Sequence, residues 1–163
     1  MNVWFFKTNT LPGNSAMHPL STELQDIVGE YAERLRQMPE AVFSARPAPG
    51  KWSKKEIVGH LIDSAQNNIQ RFVRAQHEPG PVRILYQQDD WVALQNYQAY
   101  AGADLVQLWL LLNRHLGHIW TQMHAETWAV SCDIGKLSPE LISLEGLALD
   151  YLRHLKHHLS QME

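Results

Sequence analysis

Apolar residues recur three and four positions apart in four separate stretches of the chain, the spacing of helices that bury one side. In the first stretch Leu24, Ile27, Val28, Tyr31, Leu35 and Met38 predict a helix from about Leu20 to Met38. Thr22 and Gln25 are its expected reciprocal cap, and Pro39 sets its boundary. A proline-stiffened connection, Ala45 to Trp52, leads to the helix-start signal Ser53-Lys-Lys-Glu56. From there Ile57, Leu61, Ala65, Ile69 and Phe72 predict a second helix over 53–76, closed by Glu78-Pro-Gly-Pro81. A third begins between Asp89 and Asn96 and reaches about Met123, with Leu94, Tyr97, Ala101, Leu105, Leu108, Leu112, Ile119 and Met123 along its apolar side. Its length calls for a bend near Gly102 or Gly117, or for a partly helical lead-in. The last runs to Gln161 on Leu144, Leu147, Ala148, Tyr151, Leu152, Leu155 and Leu159, started by Ser138-Pro139 or by Ser143.

Between these stretches the pattern is weaker. Residues 1–19 hold Asn9, Pro12, Gly13, Asn14 and Pro19, which reads as a loop or an arm laid over the body. Val82, Ile84, Leu85 and Tyr86 fit a short strand or a structured crossover loop, and no pairing partner for a strand is evident. Residues 127–135 read as a further connection. Four helical patterns without an internal repeat predict an all-α protein, a four-helix bundle preceded by the arm, in one domain over 20–163. The second-to-third and third-to-fourth connections are long enough for a topology other than up-down-up-down.

Composition narrows the functions more than the fold. With 163 residues, 45% hydrophobic and 19% charged, the chain has material for one substantial core and little for long disorder. A formal charge of -3 gives no general attraction for phosphate backbones or anionic lipid. Nucleic acid is accordingly not an expected partner, and neither is a membrane, since no apolar run approaches the roughly 20 residues of a span. The sequence shows no secretion leader, and the single cysteine, Cys132, permits no internal disulfide. Both favour the cytoplasm. Ser131 and Asp133 beside Cys132 offer no positive field to activate its thiol.

Nine histidines carry the candidate chemistry. His154 and His158 are four apart on the last helix, with β-carbons about 5–6 Å apart on one side. Two imidazoles so spaced can close on one transition-metal ion, or bond to carbonyls and pack as ordinary core residues. His157 lies roughly 60° around the helix from His154 and points elsewhere. A third ligand is available in His60, on a second helix whose polar edge also carries Asp63, Ser64, Asn67 and Asn68. That edge is either a site or a solvated rim. His115 and His118 read as ordinary bundle residues.

The stretches Pro49-Gly-Lys-Trp-Ser-Lys-Lys-Glu-Ile-Val-Gly-His-Leu-Ile-Asp-Ser64 and Asp150-Tyr-Leu-Arg-His-Leu-Lys-His-His-Leu-Ser-Gln161, with Trp91 between them, resemble the DinB-like and YfiT-like superfamily of metal-binding four-helix bundles. The resemblance covers most of residues 20–162. It implies a divalent metal, nickel or zinc foremost, held by His60, His154 and His158 with His157 outside the set. It also implies a crossed connection and a homodimer. Characterised relatives include enzymes that activate a low-molecular-weight thiol and proteins described as metal-dependent hydrolases.

The expected function is therefore transfer of a low-molecular-weight thiol to a small electrophilic substrate. Metal-dependent hydrolysis is the alternative, and a non-enzymatic metal-binding stress or interaction protein is a third reading. Asp63 and Asp150 are the candidate proton carriers or histidine orienters, each opposed by a reading as part of a solvated helix face. Arg71, for a substrate carboxylate, and Asn67, for a polar group, are the candidate contacts to a bound small molecule.

Overall fold

In the computed structural model, which describes residues 18–163, the second bundle helix begins where its capping chemistry sets it. Ser53 Oγ accepts from the Glu56 backbone N–H at 3.1 Å, and Glu56 Oε2 accepts from the Ser53 N–H at 2.8 Å. Losing such a cap to alanine costs about 1 kcal/mol. The helices are α1 Pro19–Arg36, α2 Glu40–Phe43, α3 Lys54–Arg74, α4 Gln88–Gln95, α5 Gly102–Gln122 and α6 Leu144–Ser160. The expected arm over residues 1–19 lies outside the described residues except for His18 and Pro19.

Four of these helices form the bundle. α5 packs along both α1 and α3, and α6 closes the other side against α3 and α1. The chain therefore crosses the bundle between α1 and α3 and again between α5 and α6. The core is apolar and aromatic, with Leu24, Leu61, Phe72, Trp109, Leu116, Trp120 and Leu155 all withdrawn from water. One buried polar link ties α6 to α5. Tyr151 donates its hydroxyl to Asn113 Oδ1 at 2.6 Å, and Asn113 Nδ2 donates to the Trp109 carbonyl at 2.8 Å.

Several local expectations are corrected. α1 starts at Pro19, ahead of the Thr22–Gln25 pair, because proline suits a first turn whose N–H would have no partner. His18 Nδ1 supplies the cap instead, accepting from the Leu20 N–H at 3.4 Å. Gln25 reaches across to the Asn113 carbonyl on α5.

Of the two expectations for the long third helix, the partly helical lead-in holds and the bend does not: α4 and a 3-10 turn precede α5. Asn96 takes a left-handed conformation, φ 48°, after α4, and a single 3-10 turn, Tyr97–Ala99, precedes α5. Asparagine adopts that conformation more cheaply than most residues. Freed from α5's register, Leu94 points out at 83% exposure. At Gly117 the helix is uninterrupted, and the missing side chain admits α1, whose Ser21 Oγ donates to the Gly117 carbonyl at 2.8 Å.

The stretch left open as strand or loop contains a strand, and residues 127–135 are more than a connection. β1 Val82–Arg83 pairs in parallel with β2 Ser131–Asp133, which pairs antiparallel with β3 Leu141–Ser143. This small sheet is an addition to the expected all-α bundle. It also fixes the start of α6 at Ser143, whose Oγ accepts from the Gly146 N–H at 3.1 Å, because residues 141–143 are held in β3.

Between β2 and β3 the loop over 134–140 is tied down by Asp133. Its Oδ1 accepts from the N–H groups of Gly135 and Glu140, each at 2.9 Å. Those bonds, Glu140's foremost and Gly135's next, hold the Asp133 carboxyl below its ordinary range, with Arg83 adding to the effect. Arg83 also donates to the carbonyls of Gly135 and Lys136. Cys132 is buried beside this turn with its thiol donating to the Val82 carbonyl, and burial pushes its pKa up. A thiol so placed is a packing group.

Candidate metal centre

α3 is buried along its whole middle, from Lys55 to Ala65, and this is what takes His60 out of water. The polar edge, left open between a site and a solvated rim, is interior: His60, Asp63, Ser64, Asn67 and Asn68 are all buried. α6 brings His154 and His158 to the same spot. The ligand atoms of the three imidazoles lie within 4.8 Å of one another, and His60 Nε2 and His154 Nε2 are 3.1 Å apart. Two imidazole nitrogens sharing a tetrahedral ion at 2.0–2.1 Å stand about 3.3 Å apart, so that pair is already at ligand spacing.

Electrostatics favour the same use. Burial, then His154 and His158, pushes the His60 imidazole down to about 3. Burial and then His158 take His154 to about 4, with Asp150 opposing, and burial lowers His158. All three are therefore neutral near pH 7 and present lone pairs, the state a metal requires. His60 Nδ1 is buried without a hydrogen-bond partner. The donor set, its spacing and its charge state fit a late divalent ion.

His157 is outside the cluster, exposed, with its Nε2 3.0 Å from Gln161 Nε2. Two neighbours that the sequence did not single out shape the centre. Trp52 lies against His60 with ring centroids 5.1 Å apart. Gln161 Oε1 stands 3.1 Å from His158 Nδ1. For Gln161 the spacing from His158, one helical turn, was the available signal; for Trp52 it was its place in the stretch that carries the family resemblance.

Two cavities meet here. One, about 550 Å³, is lined by His60 and His154 together with Ser64, Asn68, Arg71 and Asp150, and by the Asp133-anchored loop. The other, about 1070 Å³, is lined by His158, Gln161, Trp52 and Ile57. Gln88, at the start of α4, belongs to both.

The remaining candidates divide. Asp150 lines the smaller cavity one turn before His154 and pairs with Arg153. Arg71 lines it too. Asp63 does not: it is fully buried and accepts at 2.6 Å from both the Tyr97 hydroxyl and Gln95 Nε2. Burial raises its pKa while those two bonds oppose the rise. Its Oδ2, like His60 Nδ1 one turn away, is buried without a partner. Asn67 is also corrected. It is buried, with Nδ2 donating to the Asp63 carbonyl within the helix at 2.8 Å, and Asn68 is the asparagine that lines the cavity.

A four-helix bundle with crossed connections and three imidazoles gathered from two of its helices defines a class of metal-binding bundle. The family model described as the DinB superfamily matches residues 24–162, and the chain belongs to that superfamily. Among solved structures it is similar to one described as "YfiT from Bacillus subtilis is a probable metal-dependent hydrolase with an unusual four-helix bundle topology". That match has a TM-score of 0.75 and 20% identity over 93% of this chain and 88% of the other. A protein of Bacillus mycoides (strain KBAB4) named "Putative metal-dependent hydrolase" is 23% identical over 86% of this chain and 79% of its own length. One of the same name from Halalkalibacterium halodurans is 23% identical over 100% of this chain and 84% of its own length. No described helix is long and apolar enough to cross a membrane.

Proposed function

We propose that this protein is a metal-dependent hydrolase of a small-molecule substrate, with the ion held by His60, His154 and His158. The observation that carries this reading is the convergence of three neutral imidazoles, His60 buried and His154 and His158 half-buried, between a 550 Å³ cavity lined by His60 and His154 and a second one lined by His158. The names of the relatives favour hydrolysis over the thiol transfer expected from the sequence, so the order of the two is reversed. Nickel and zinc both suit a three-imidazole set. Such an ion, when bound, supplies Lewis-acid polarisation of a carbonyl or phosphoryl oxygen and activation of water.

Asp150 is assigned as the proton acceptor, because it is the cavity carboxylate one turn from a ligand histidine. Asn68 and Arg71 line the same cavity further along α3, beyond His60 and Ser64. Asp63 is assigned to orientation: its Oδ2 and the Nδ1 of His60, three residues earlier on α3, are both buried without a partner among the described residues.

The test is a panel of amides and esters incubated without thiol, before and after chelation. Hydrolysis lost on chelation and restored by zinc or nickel is expected. Asp150→Asn should lower turnover by about 100-fold with metal content unchanged. Absence of hydrolysis by protein that retains its metal would sink the reading.

Thiol transfer is kept as a second reading on one observation, the larger cavity at His158, which would give a second reactant its own approach. Metal-dependent conjugates with small thiols, in the absence of hydrolysis, would favour it.

A further inference from the structure

The smaller cavity contains a cation, Arg71, that forms no ion pair among the described residues. Arg71 follows His60 by eleven residues on α3, roughly 16 Å of helix rise and close to three whole turns. His60, Ser64, Asn68 and Arg71 thus line one face, and all four line the cavity. The Arg71 side chain leans back along the helix. Its Nη1 donates to Asn68 Oδ1 at 3.4 Å and its Nη2 to the Ile84 carbonyl. Among the described residues no carboxylate lies within ion-pair distance of it. Its Nε–H is buried and unpartnered.

A guanidinium has five N–H donors, and two bonds leave most of this fork unused. An unpaired buried donor is costly, and a half-buried guanidinium without an ion-pair partner adds to that cost, so the arrangement is incomplete as it stands. The other cavity charges do not complete it. Asp150 is engaged by Arg153 on its own helix, and Glu140 and Lys136, of opposite sign, sit on the exposed loop at the rim.

We propose that Arg71 anchors the carboxylate of a small, elongated substrate whose reacting group lies at the histidine cluster. The chemistry that fits a planar fork with a free Nε–H is a carboxylate held by two parallel hydrogen bonds. With the guanidinium level with Asn68, two turns beyond His60, the acid and the reacting group are separated by on the order of 10 Å. The substrate class is therefore a chain acid with its hydrolysable bond several atoms from the carboxylate, rather than a compact α-substituted acid. This deepens the hydrolase reading and rests on it for the position of the reacting group, whereas the anchor itself is tested without turnover.

The experiment measures binding of hexanoate and of its neutral counterpart hexanamide to the full-length protein by calorimetry, with the Arg71 Nε–H signal followed by NMR. Hexanoate should bind about tenfold or more tightly than hexanamide and should shift the Nε–H signal. Arg71→Gln should abolish the preference. Arg71→Lys, which keeps the charge but loses the fork, should retain only part of it and serves as the folded control if Arg71→Gln does not fold. His158→Ala, which removes a metal ligand far from the fork, should leave the preference in place, separating an arginine anchor from carboxylate bound at the ion. Equal affinities for acid and amide, an unmoved Nε–H signal, or a preference lost in His158→Ala but kept in Arg71→Gln would overturn the proposal. Carboxylate preference without hydrolysis would leave the anchor standing and remove only the hydrolase reading.

Discussion

His158 Nδ1 lies 3.1 Å from Gln161 Oε1, about one turn further on, at the residue that caps the end of α6. A carbonyl oxygen only accepts, so His158 donates from Nδ1 and its other nitrogen faces the cluster as a lone pair. Gln161 is itself exposed, so replacing it disturbs no core packing. Gln161→Ala should weaken metal affinity by about tenfold or more with the circular-dichroism spectrum unchanged. An unaltered affinity would show that His158 is held by packing alone.

Removal of individual histidines should separate ligands from neighbours. His154→Ala and His158→Ala should each lose most of the bound metal in elemental analysis of purified protein, whereas exposed His157→Ala should keep it. Equal loss across all three would point to unspecific binding by an imidazole-rich helix end. Stripping the metal from the unmodified protein should lower its melting temperature, since a ligand of the folded state alone stabilises that state by mass action.

The buried polar arrangement around Asp63 depends on a glycine. A side chain at Gly59 would meet Tyr97 Cδ2 at 2.1 Å, so only the bare helix lets the Tyr97 ring lie flat enough for its hydroxyl to reach Asp63 one turn away. Gly59→Ala should destabilise by about 1–3 kcal/mol in urea unfolding through overpacking. Tyr97→Phe should cost about 1–3 kcal/mol because a buried carboxylate loses a donor. The two effects should fall well short of additive in the double variant; strict additivity would disconnect the glycine from the ring.

Asp133 gives the 134–140 loop a dependence on acid. Its carboxyl is held below the ordinary value of 3.8, first by the Glu140 and Gly135 backbone bonds. Folding therefore favours the ionised form, so this stabilisation is present above pH 3.8 and is lost as pH falls through the lower folded value. Asp133→Ala should melt at lower temperature than the unmodified protein at pH 7, and the gap should narrow below pH 3.8. A gap independent of pH would mean that the carboxylate's charge plays no part.

The bundle was legible because amphipathic periodicity is a local property. Leu24, Val28 and Leu35 on α1, and Leu144, Leu147, Tyr151, Leu155 and Leu159 on α6, are buried as their spacing required. The Ser53–Glu56 cap was legible for the same reason. The break at Asn96 was not, because helical spacing on its two sides is nearly in phase. The sheet was not legible either, since β1 finds its partner 50 residues away and each strand is two or three residues long.

The histidine set divides in the same way. That His154 and His158 share a side while His157 does not follows from the pitch of one helix, and α6 alone determines it. That His60 comes within 3.1 Å of His154 depends on how α3 packs against α6. Helix packing likewise decided that Asp63 faces Tyr97 and Gln95 rather than the cavity, and that Asn68, not Asn67, lines it. Sequence determined which residues of each helix lie together, because rise and twist per residue are fixed. Only the tertiary structure decided which helix faces meet, because that depends on ridges, glycines and strand pairings contributed by distant parts of the chain.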